Sequence, residues 1–404
     1  MSLKENYKIT LDKIVLYEDI NMKLKTYTYT DGNWNEPFAK SLNTDRCLVL
    51  VFASAKKDLI EKPLKQLVKA FCNATIVGAS TAGEIIQDEL IHDSIVVSVM
   101  QFDSTRIKVV SEPLTKVEYS YDSGVTISKK LLEDDLKFIF VLSDGLNING
   151  SQLTKGIASN TPKEIVVTGG LAGDDDRFEN TWVIVDGELK DRYITAVGLY
   201  GDNIHIGHGS KGGWDTLGIE RLVTKSEDNI LYELDSQPAL EIYKRYLGDK
   251  AAELPASGLL FPLQLKVTSQ ATESKVRTIL AVNEDNQSIT FAGDVPKGSY
   301  VTLMKANYDR LIDGATDAAQ SICLDRYNGE EILSIAISCI GRRLVLKQRT
   351  EEELEATLDV LPPKTKQVGF YSYGEISPLA SGTCDLHNQT MTLTLIWESD
   401  AQTP

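Results

Sequence analysis

Hydrophobic and polar positions repeat one arrangement three times along this chain: a short apolar run, an amphipathic stretch and a second apolar run. Short apolar runs are typical of buried strands, and apolar residues at intervals of three and four are typical of helices. Each arrangement has the length of a right-handed βαβ crossover, which predicts that its two strands are parallel neighbours. The predicted strand, helix and strand are 48–53, 59–71 and 75–77; 138–142, 151–157 and 165–167; and 332–339, 350–358 and 367–370.

The segments between these units alternate apolar and polar residues and contain hairpin turns, which predicts meandering antiparallel strands. A segment with five glycines, 207–218, is expected to join the two halves of the chain. The predicted strands lie at 94–102, 181–185, 193–200 and 203–206, with three more in 261–303 and a last one at 391–397. The predicted fold class is α/β, with βαβ units alternating with antiparallel hairpins in two related domains. The predicted division is an N-terminal extension at 1–36, a first domain at 37–230 and a second at 231–397.

Each βαβ unit closes with one loop formula: Val, five residues, Gly and an acid. The copies are VGASTAGE at 77–84, VTGGLAGD at 167–174 and VGFYSYGE at 368–375. A strand followed by a turn of small residues is where α/β proteins usually bind ligands. Glycine lets the backbone approach another group closely, and a carboxylate beside it can bind an amine or a hydroxyl. The loop formula therefore marks the candidate site.

The three loops offer different chemistry to a ligand. The first has hydroxyls and a carboxylate, the second has three glycines and an acid, and the third has aromatic rings beside a carboxylate. Arg342, at the end of another strand of the third unit, could pair with a ligand carboxylate. The candidate ligand-binding residues are Ser80, Thr81, Gly83, Glu84, Gly169, Gly170, Gly173, Asp174, Arg342, Tyr371, Tyr373, Gly374 and Glu375.

Each candidate also has a structural interpretation, which stays open at this point. The loop acids could satisfy neighbouring backbone N–H groups, and Arg342 could form a salt bridge with Glu375 or with an acid of 351–353. Thr350 and Glu353 have the spacing of a helix-capping box. We expect Tyr371 and Tyr373 to point outward together.

Composition and charge narrow the classes of partner. The chain has 404 residues, 42 Lys and Arg against 58 Asp and Glu, and a formal net charge of −16. This charge repels nucleic acid and anionic membranes, so we expect neither as a partner. The five cysteines are scattered and never form CxxC, which favours reduced thiols in a cytosol over disulfides or a zinc site. Because no apolar run is typical of a signal peptide or a membrane span, we predict a cytoplasmic protein.

Five separated motifs resemble the FIST family, in its N-terminal and C-terminal domains. They are VGASTAGEI from residue 77, GGLAGD from 169, LYELDSQPALEIYKRYLG from 231, SCIGRR from 338 and GFYSYGEISP from 369. The FIST domains that this chain resembles are bacterial sensory modules, which are found alone or joined to histidine kinases, chemotaxis receptors and diguanylate cyclases. The resemblance covers about 37–397 and implies sensing of a small ligand, with amino acids among the ligands proposed for the family.

The resemblance also bears on partners and cofactors. We expect no output domain after Trp397, so the implied partner is a separate protein, a histidine kinase or a diguanylate cyclase. Some stand-alone FIST proteins resemble haem proteins that respond to nitric oxide, so the cofactor stays open and haem is one alternative. A haem would be non-covalent because CxxCH is absent, with His387 as first choice for the axial ligand and no other metal site expected.

An enzyme is the remaining alternative, in which a loop carboxylate acts on a bound metabolite. The chain lacks GxSxG and GxxxxGK[ST], and TGGLAG fails the spacing of GxGxxG. We therefore expect a protein that is not an enzyme.

Overall fold

The computed structural model describes residues 22–399. Three repeats of one strand plan make up most of this part of the chain, and the first covers 23–101. Part of the predicted N-terminal extension belongs to it, since 23–34 contributes two strands, whereas 1–21 lies outside the described residues. The elements of repeat 1 are β1 (Lys23–Thr30), β2 (Asn33–Trp34), β3 (Cys47–Ser54), α1 (Lys57–Ala70), β4 (Thr75–Thr81), β5 (Glu84–Ile86), β6 (Glu89–Ile91) and β7 (Ile95–Gln101).

Repeat 2 covers 106–200 and follows the same order. Its elements are β8 (Arg106–Pro113), α2 (Ser120–Leu131), β9 (Leu136–Ser143), α3 (Gly150–Ala158), β10 (Val166–Leu171), β11 (Val183–Val185), β12 (Glu188–Lys190) and β13 (Tyr193–Tyr200).

Repeat 3 covers 204–398 and is interrupted by an inserted unit at 215–305. It begins with β14 (Ile204–Lys211). The inserted unit contains β15 (Asp215–Thr216), β16 (Arg221–Glu227), β17 (Ile230–Leu234), β18 (Gln237–Pro238), α4 (Ala239–Leu247), β19 (Leu263–Lys266), β20 (Lys275–Arg277), β21 (Ile279–Asn283), β22 (Ser288–Phe291) and β23 (Tyr300–Lys305). Repeat 3 resumes with α5 (Tyr308–Gln320), β24 (Ile332–Cys339), α6 (Ile340–Leu346), α7 (Thr350–Leu358), β25 (Thr365–Ser372), β26 (Gly374–Pro378), β27 (Cys384–His387) and β28 (Met391–Glu398). Short 3-10 helices lie at Lys40–Leu42, Val117–Tyr119, Gly248–Glu253, Ala256–Leu260 and Lys347–Arg349.

Each repeat builds a mixed sheet around one parallel pair, β3 with β4, β9 with β10, and β24 with β25. Sheet 1 has the order β12-β11-β4-β3-β7-β1-β2, sheet 2 the order β27-β26-β10-β9-β13-β8, and sheet 3 the order β6-β5-β25-β24-β28-β14. The predicted α/β class, with βαβ units and antiparallel hairpins, is confirmed. The inserted unit forms a separate nine-stranded antiparallel sheet.

The hairpin at the edge of each sheet comes from a different repeat. Hairpin 1 (β5–β6) pairs with β25 of sheet 3, hairpin 2 (β11–β12) pairs with β4 of sheet 1, and hairpin 3 (β26–β27) pairs with β10 of sheet 2. The three donations form a closed cycle, so no repeat has a complete sheet without the next one. This pairing crosses the predicted domain boundary near residue 230, and that boundary stays a prediction.

A shared apolar core joins the inner faces of the three sheets. It contains Phe52 of β3, Phe140 of β9 and Ile337 of β24, all at most 2% exposed. The rings of Phe52 and Phe370 lie 4.8 Å apart between centroids, so sheets 1 and 3 are in direct contact. The long apolar runs of β3, β9 and β24 follow from burial on both faces, since helices cover the outer sides.

The first part of the glycine-rich segment predicted to join the two halves, 207–211, lies in a strand. β14 pairs along its whole length with β28. Its glycines reflect close packing, because a Cβ on Gly209 would lie 2.0 Å from the carbonyl oxygen of Ala318 in α5. A strand needs glycine at the point where a helix crosses directly over it. Because many glycines in a sequence usually indicate a loop, such a strand is easily mistaken for one.

Two further local predictions are wrong. The region 261–303 contains five strands rather than three, because four of them have only three to five residues and leave weak periodicity. Thr350 and Glu353 form no capping box. The Thr350 hydroxyl donates to the carbonyl oxygen of Lys347 at 2.6 Å, and Glu353 turns inward to an arginine.

The close approach of β25 to β24 gives a stability prediction. A Cβ on Gly369 would lie 1.8 Å from the carbonyl oxygen of Ala336. We expect Gly369→Ala to lower the free energy of unfolding by about 3 kcal/mol, measured by urea denaturation. Gly329→Ala is the control, since Gly329 has φ +97° and open space around it, so only backbone strain of about 1–2 kcal/mol applies. Equal losses in the two variants would contradict the packing argument.

Candidate functional site

The three repeated loops lie at the points where the chain leaves one sheet for the next, and they contact one another through the backbone. Ala82 donates its N–H to Tyr371 at 2.8 Å, Gly173 donates to Ser80 at 2.9 Å, and Tyr373 donates to Leu171 at 3.3 Å. Each bond joins loops of different repeats. The structure therefore brings the predicted site residues of all three loops together, including Gly169, Gly170 and Gly374, which lie in the ladder between β10 and β26.

The Glu84 carboxylate is buried and bound by groups of its own repeat. Its oxygens accept hydrogen bonds from the Thr81 hydroxyl and from the hydroxyl of Ser94 at 2.6 Å, with the Ser94 backbone N–H at 3.3 Å. Burial raises the pKa of Glu84 to about 7, although the hydrogen bonds from Ser94 and Thr81 oppose the rise. Gly83 beside it has φ +124°, which glycine adopts without strain.

Glu375 repeats this arrangement in the third loop. It accepts hydrogen bonds from the Ser372 hydroxyl at 2.8 Å and from the Thr390 hydroxyl and N–H at 2.9 and 3.2 Å. Burial raises the pKa of Glu375 to about 8, against the opposing hydrogen bonds. In both loops the acid accepts a hydrogen bond from the hydroxyl of the residue three positions before it. It also accepts one from the residue directly before the strand that returns to its own sheet, which is Ser94 before β7 and Thr390 before β28. These carboxylates tie the crossing loop to its own sheet.

Asp174 has the same position in the middle loop but different partners. Its carboxylate accepts backbone N–H groups of Phe178, Glu179 and Asn180 at 2.8–3.0 Å, and it accepts the Tyr373 hydroxyl. The ring of Phe178 stacks on Tyr373 with centroids 4.4 Å apart. The difference arises because hairpin 2 begins nine residues after its acid, whereas hairpins 1 and 3 begin at or beside theirs.

Arg342 forms the salt bridge that the sequence left open, with Glu353. The two side chains are fully buried, 2.7 Å apart, and Arg342 also donates to the carbonyl oxygens of Gly212 and Leu311. Tyr371 donates its hydroxyl to Glu353 at 2.8 Å. The expected outward direction of Tyr371 and Tyr373 is wrong, because they are 0% and 8% exposed and their hydroxyls bind inward carboxylates.

Arg343, the neighbour of Arg342 in α6, connects repeat 3 to the first and second loops. Its Nη1 donates to the carbonyl oxygen of Ala82 at 2.6 Å and its Nη2 binds the Asp175 carboxylate. Sequence reasoning named Arg343 only as one of an arginine pair. Its sequence signal was its position at the end of β24, beside the carboxyl ends of the parallel strands.

The surroundings of His387 do not suit the axial ligand of a haem. Its ring is buried in the ladder between β26 and β27, and Nε2 lies 3.1 Å from the carbonyl oxygen of Ser377. Burial lowers the pKa of His387 to about 4. His387 lines neither of the two cavities beside the inserted unit. Within 22–399, no group of three or more His, Cys, Asp or Glu is placed to hold a metal ion.

A cavity of about 440 Å³ lies between the inserted unit and the repeats, and we call it the interface cavity. Its walls come from α3 of repeat 2, from β19 and β20 with the 294–299 turn of the inserted unit, and from the loop of hairpin 3. Its charged lining consists of four cations and three acids: Lys155, Lys275, Arg277 and Lys297 with Glu273, Asp294 and Asp385. The formal charge of the lining is thus +1 in a protein of net −16.

Arg277 is the unusual member of this lining. Its guanidinium is 2% exposed and forms no ion pair with any carboxylate of 22–399. Nε donates to the carbonyl oxygen of Asp294 at 3.0 Å, and Nη1 donates to those of Leu386 at 3.1 Å and Val276 at 3.3 Å. Nη2 has no acceptor in the described part of the chain. Burial lowers the pKa of Arg277, although the nearby charges of Asp385 and Asp294 oppose the change, and a guanidinium stays charged in proteins. Those two carboxylates contact lysines rather than Arg277, so its buried charge has no direct partner among the described residues and its side chain offers a place for an anion.

The remaining charges of the interface cavity are mostly paired. Lys155 lies 2.9 Å from Asp294, and Lys275 binds Asp385. Burial opposes ionisation of Asp294, but hydrogen bonds from Lys155 and the neighbouring amides outweigh it, so the pKa of Asp294 lies below its ordinary value. Lys297 is exposed and has no ion pair within 22–399. Sequence reasoning missed this site, since an Arg in a short strand gives no sign of burial.

The buried loop acids give a prediction about pH. A carboxyl group whose pKa is raised by folding binds more protons in the native state, so its stability contribution is present below about pH 4.5 and is lost as pH rises through its folded pKa. We expect the free energy of unfolding to fall between pH 5 and pH 8, by about 1.4 kcal/mol per pH unit for each group in its window. Glu84→Gln and Glu375→Gln should flatten this slope in urea denaturation at several pH values.

The control for this pH series is Glu61→Gln on the exposed face of α1, which should leave the slope unchanged. The Gln variants should also be less stable near pH 5 by about 1–3 kcal/mol, because an amide NH₂ would face a backbone donor. A slope that stays the same in both loop variants would contradict the assigned burial of these acids.

The comparisons with known proteins agree with this architecture. The FIST N domain matches residues 47–237 and the FIST C domain matches residues 239–378. An uncharacterized protein of the archaeon Methanocaldococcus jannaschii is 23% identical over an alignment of 398 positions, which covers 88% of this chain and 74% of that protein. Among the described residues, no helix is long and apolar enough to cross a membrane. Since the two matches together span 47–378, the chain belongs to the FIST family, whose domains are sensory domains that bind small ligands.

Proposed function

We propose that this protein is a cytoplasmic sensor for a small carboxylate ligand, with amino acids as the favoured class, and that the ligand binds in the interface cavity. The observation that carries the proposal is Arg277, a buried guanidinium with no direct ion pair within 22–399 and one nitrogen without an acceptor, in the wall of a 440 Å³ cavity. Charge-assisted hydrogen bonds between a guanidinium and a carboxylate are strong and directional. A ligand carboxylate at Nη2 would satisfy the donor that the protein leaves free.

The acids of the same lining favour a ligand that also carries an amine. Asp294 and Asp385 are paired with lysines, whereas Glu273 has no ion pair within 22–399, so the amine of a zwitterion finds a partner there. A ligand with only negative charge would meet these three carboxylates, and a ligand with only positive charge would meet Arg277. The mixed lining therefore supports an amino acid above either singly charged class.

Ligand binding would produce a signal because the walls of the interface cavity come from three different parts of the protein. A bound ligand contacts the inserted unit, repeat 2 and hairpin 3 together, so it favours the arrangement in which these three parts are close. A ligand shifts an equilibrium only by its difference in affinity between two states, and a cavity at a junction provides that difference. The output would be a separate protein, for which a histidine kinase or a diguanylate cyclase is the proposed class.

The loop residues first predicted as ligand contacts have a different part in this proposal. Glu84, Glu375 and Asp174 are at most 1% exposed and their oxygens already accept protein donors, so we propose that they hold the sheets together. The same burial leaves no carboxylate of the loop formula open for acid–base work on a substrate. FIST is a family of sensory domains rather than of enzymes, which agrees with this assignment.

A thermal-shift panel of the twenty L-amino acids tests the proposal. At 100 times its Kd, a bound amino acid adds about 2.7 kcal/mol to stability, which raises the melting temperature measurably. For each amino acid that does so, the matched amine without the carboxylate should give no shift, because Arg277 then stays unpaired. Arg277→Lys should weaken binding at least about tenfold, since an ammonium group cannot hold the protein carbonyl oxygens and the ligand carboxylate in the planar geometry of the guanidinium.

Two further variants keep this test decisive. Lys297→Glu changes an exposed residue at the rim, so it should weaken carboxylate binding while leaving the unliganded melting temperature nearly unchanged. Arg221→Lys is the matched control, because Arg221 belongs to the inserted unit but pairs with Asp235 at 2.9 Å, outside the interface cavity. The proposal fails if no amino acid shifts the melting temperature, or if Arg277→Lys and Lys297→Glu bind as tightly as the unchanged chain.

A further inference from the structure

A second cavity, of about 310 Å³, lies on the other side of the inserted unit, and we call it the apolar cavity. It is bounded by the 253–259 segment and the start of β21, by Cys339 to Leu344 of repeat 3, and by Phe178 and Tyr373 of the second and third loops. Glu253 is the single charged residue of its lining. The chemistry thus differs from that of the interface cavity and favours a neutral ligand.

The lining nevertheless contains one hydroxyl group that lacks a hydrogen-bond partner within 22–399. The Thr278 hydroxyl is buried, belongs to a side chain that is 5% exposed, and has no hydrogen-bond partner in the described part of the chain. Buried hydroxyls are normally paired, and an unpaired one costs about 1–3 kcal/mol. Thr278 lines the apolar cavity, but its hydroxyl oxygen has almost no accessible surface in the rotamer present. Rotation about χ1 to another staggered rotamer would turn the hydroxyl to a ligand atom in the cavity, and the hydrogen bond formed there would remove that cost.

An aromatic wall faces the same space. The rings of Phe178 and Tyr373 are stacked at an interplanar angle of 18°, and Phe178 is 46% exposed. Large aromatic side chains in a pocket wall favour flat apolar ligands by offset or edge contacts. A cavity of about 150 Å³ lined by apolar residues binds benzene, so a volume of 310 Å³ has room for a bicyclic ring.

We propose that the apolar cavity is a second ligand site, which takes a neutral, flat bicyclic aromatic molecule with one hydrogen-bonding group directed at Thr278. The proposal is independent of the carboxylate site, because the two cavities share no lining residue. They are nevertheless adjacent, since Arg277 lines one and Thr278, the next residue, lines the other. The ring of the ligand packs against Phe178 and Tyr373, and Tyr373 binds Asp174 of the middle loop.

Indole and indene are matched probes for this site, because they share size and shape and only indole has an N–H. In isothermal titration calorimetry we expect indole to bind one to one, and to bind more tightly than indene. Thr278→Val keeps the volume but removes the hydroxyl. It should weaken indole about 3- to 10-fold, leave indene unchanged, and leave the unliganded protein as stable as before or more stable.

Blocking the space gives a second, independent test. Ala256 is exposed at the rim of the apolar cavity, so Ala256→Trp should abolish binding of both probes without disturbing the core. Ala281→Trp, on an exposed position of β21 outside the lining, is the matched control and should bind indole normally. The inference is overturned if indole does not bind, if Thr278→Val weakens both probes equally, or if Lys297→Glu weakens indole as Ala256→Trp does.

Discussion

The exchange of edge hairpins is the constraint on which the rest of the structure depends. Each hairpin contains strands of three to five residues, too short to be stable alone, and it completes the sheet of another repeat. Because the three donations close a cycle, removing one hairpin exposes the edge of a neighbouring sheet and breaks the link between two repeats. The shared apolar core between the sheets is sealed by the same arrangement. Both cavities lie against elements of this cycle, one beside hairpin 3 and the other beside the second and third loops.

The recurring acids follow from this architecture. A chain that leaves one sheet for another must turn in the interior, where its backbone and side-chain donors have no water. Glu84 and Glu375 accept those donors and join the turn to the start of the next strand. Burial of a carboxyl group is costly when it is charged, and the raised pKa of each acid lets it be neutral near physiological pH. Asp174 instead organises the longer middle loop, where backbone N–H groups and Tyr373 surround it.

The sequence predicted the repeated βαβ units because their long apolar runs and helical periodicity are strong signals. It did not predict which sheet receives each hairpin, since strands as short as Glu84–Ile86 contain too few side chains to specify a partner. The loop acids were recognised as special, but sequence cannot distinguish a carboxylate that binds a ligand from one that binds its own backbone. Arg342 was correctly paired as one alternative, because Glu353 lies within a helix of the same unit. Arg277 and Thr278 could be recognised only from packing, which shows that, among the described residues, the first is a buried charge without an ion pair and the second a buried hydroxyl without a hydrogen-bond partner.

The central claim is that the three sheets form one cooperative unit through the hairpin cycle. Native-state hydrogen exchange measures this directly at the three amides that bond across repeats, those of Ala82, Gly173 and Tyr373. If the cycle is closed, these amides exchange only by global unfolding, with one common free energy and one common dependence on denaturant. Exchange of any of the three through a smaller opening, while the other two stay protected at the global value, would show that a hairpin leaves its sheet alone and would contradict the account.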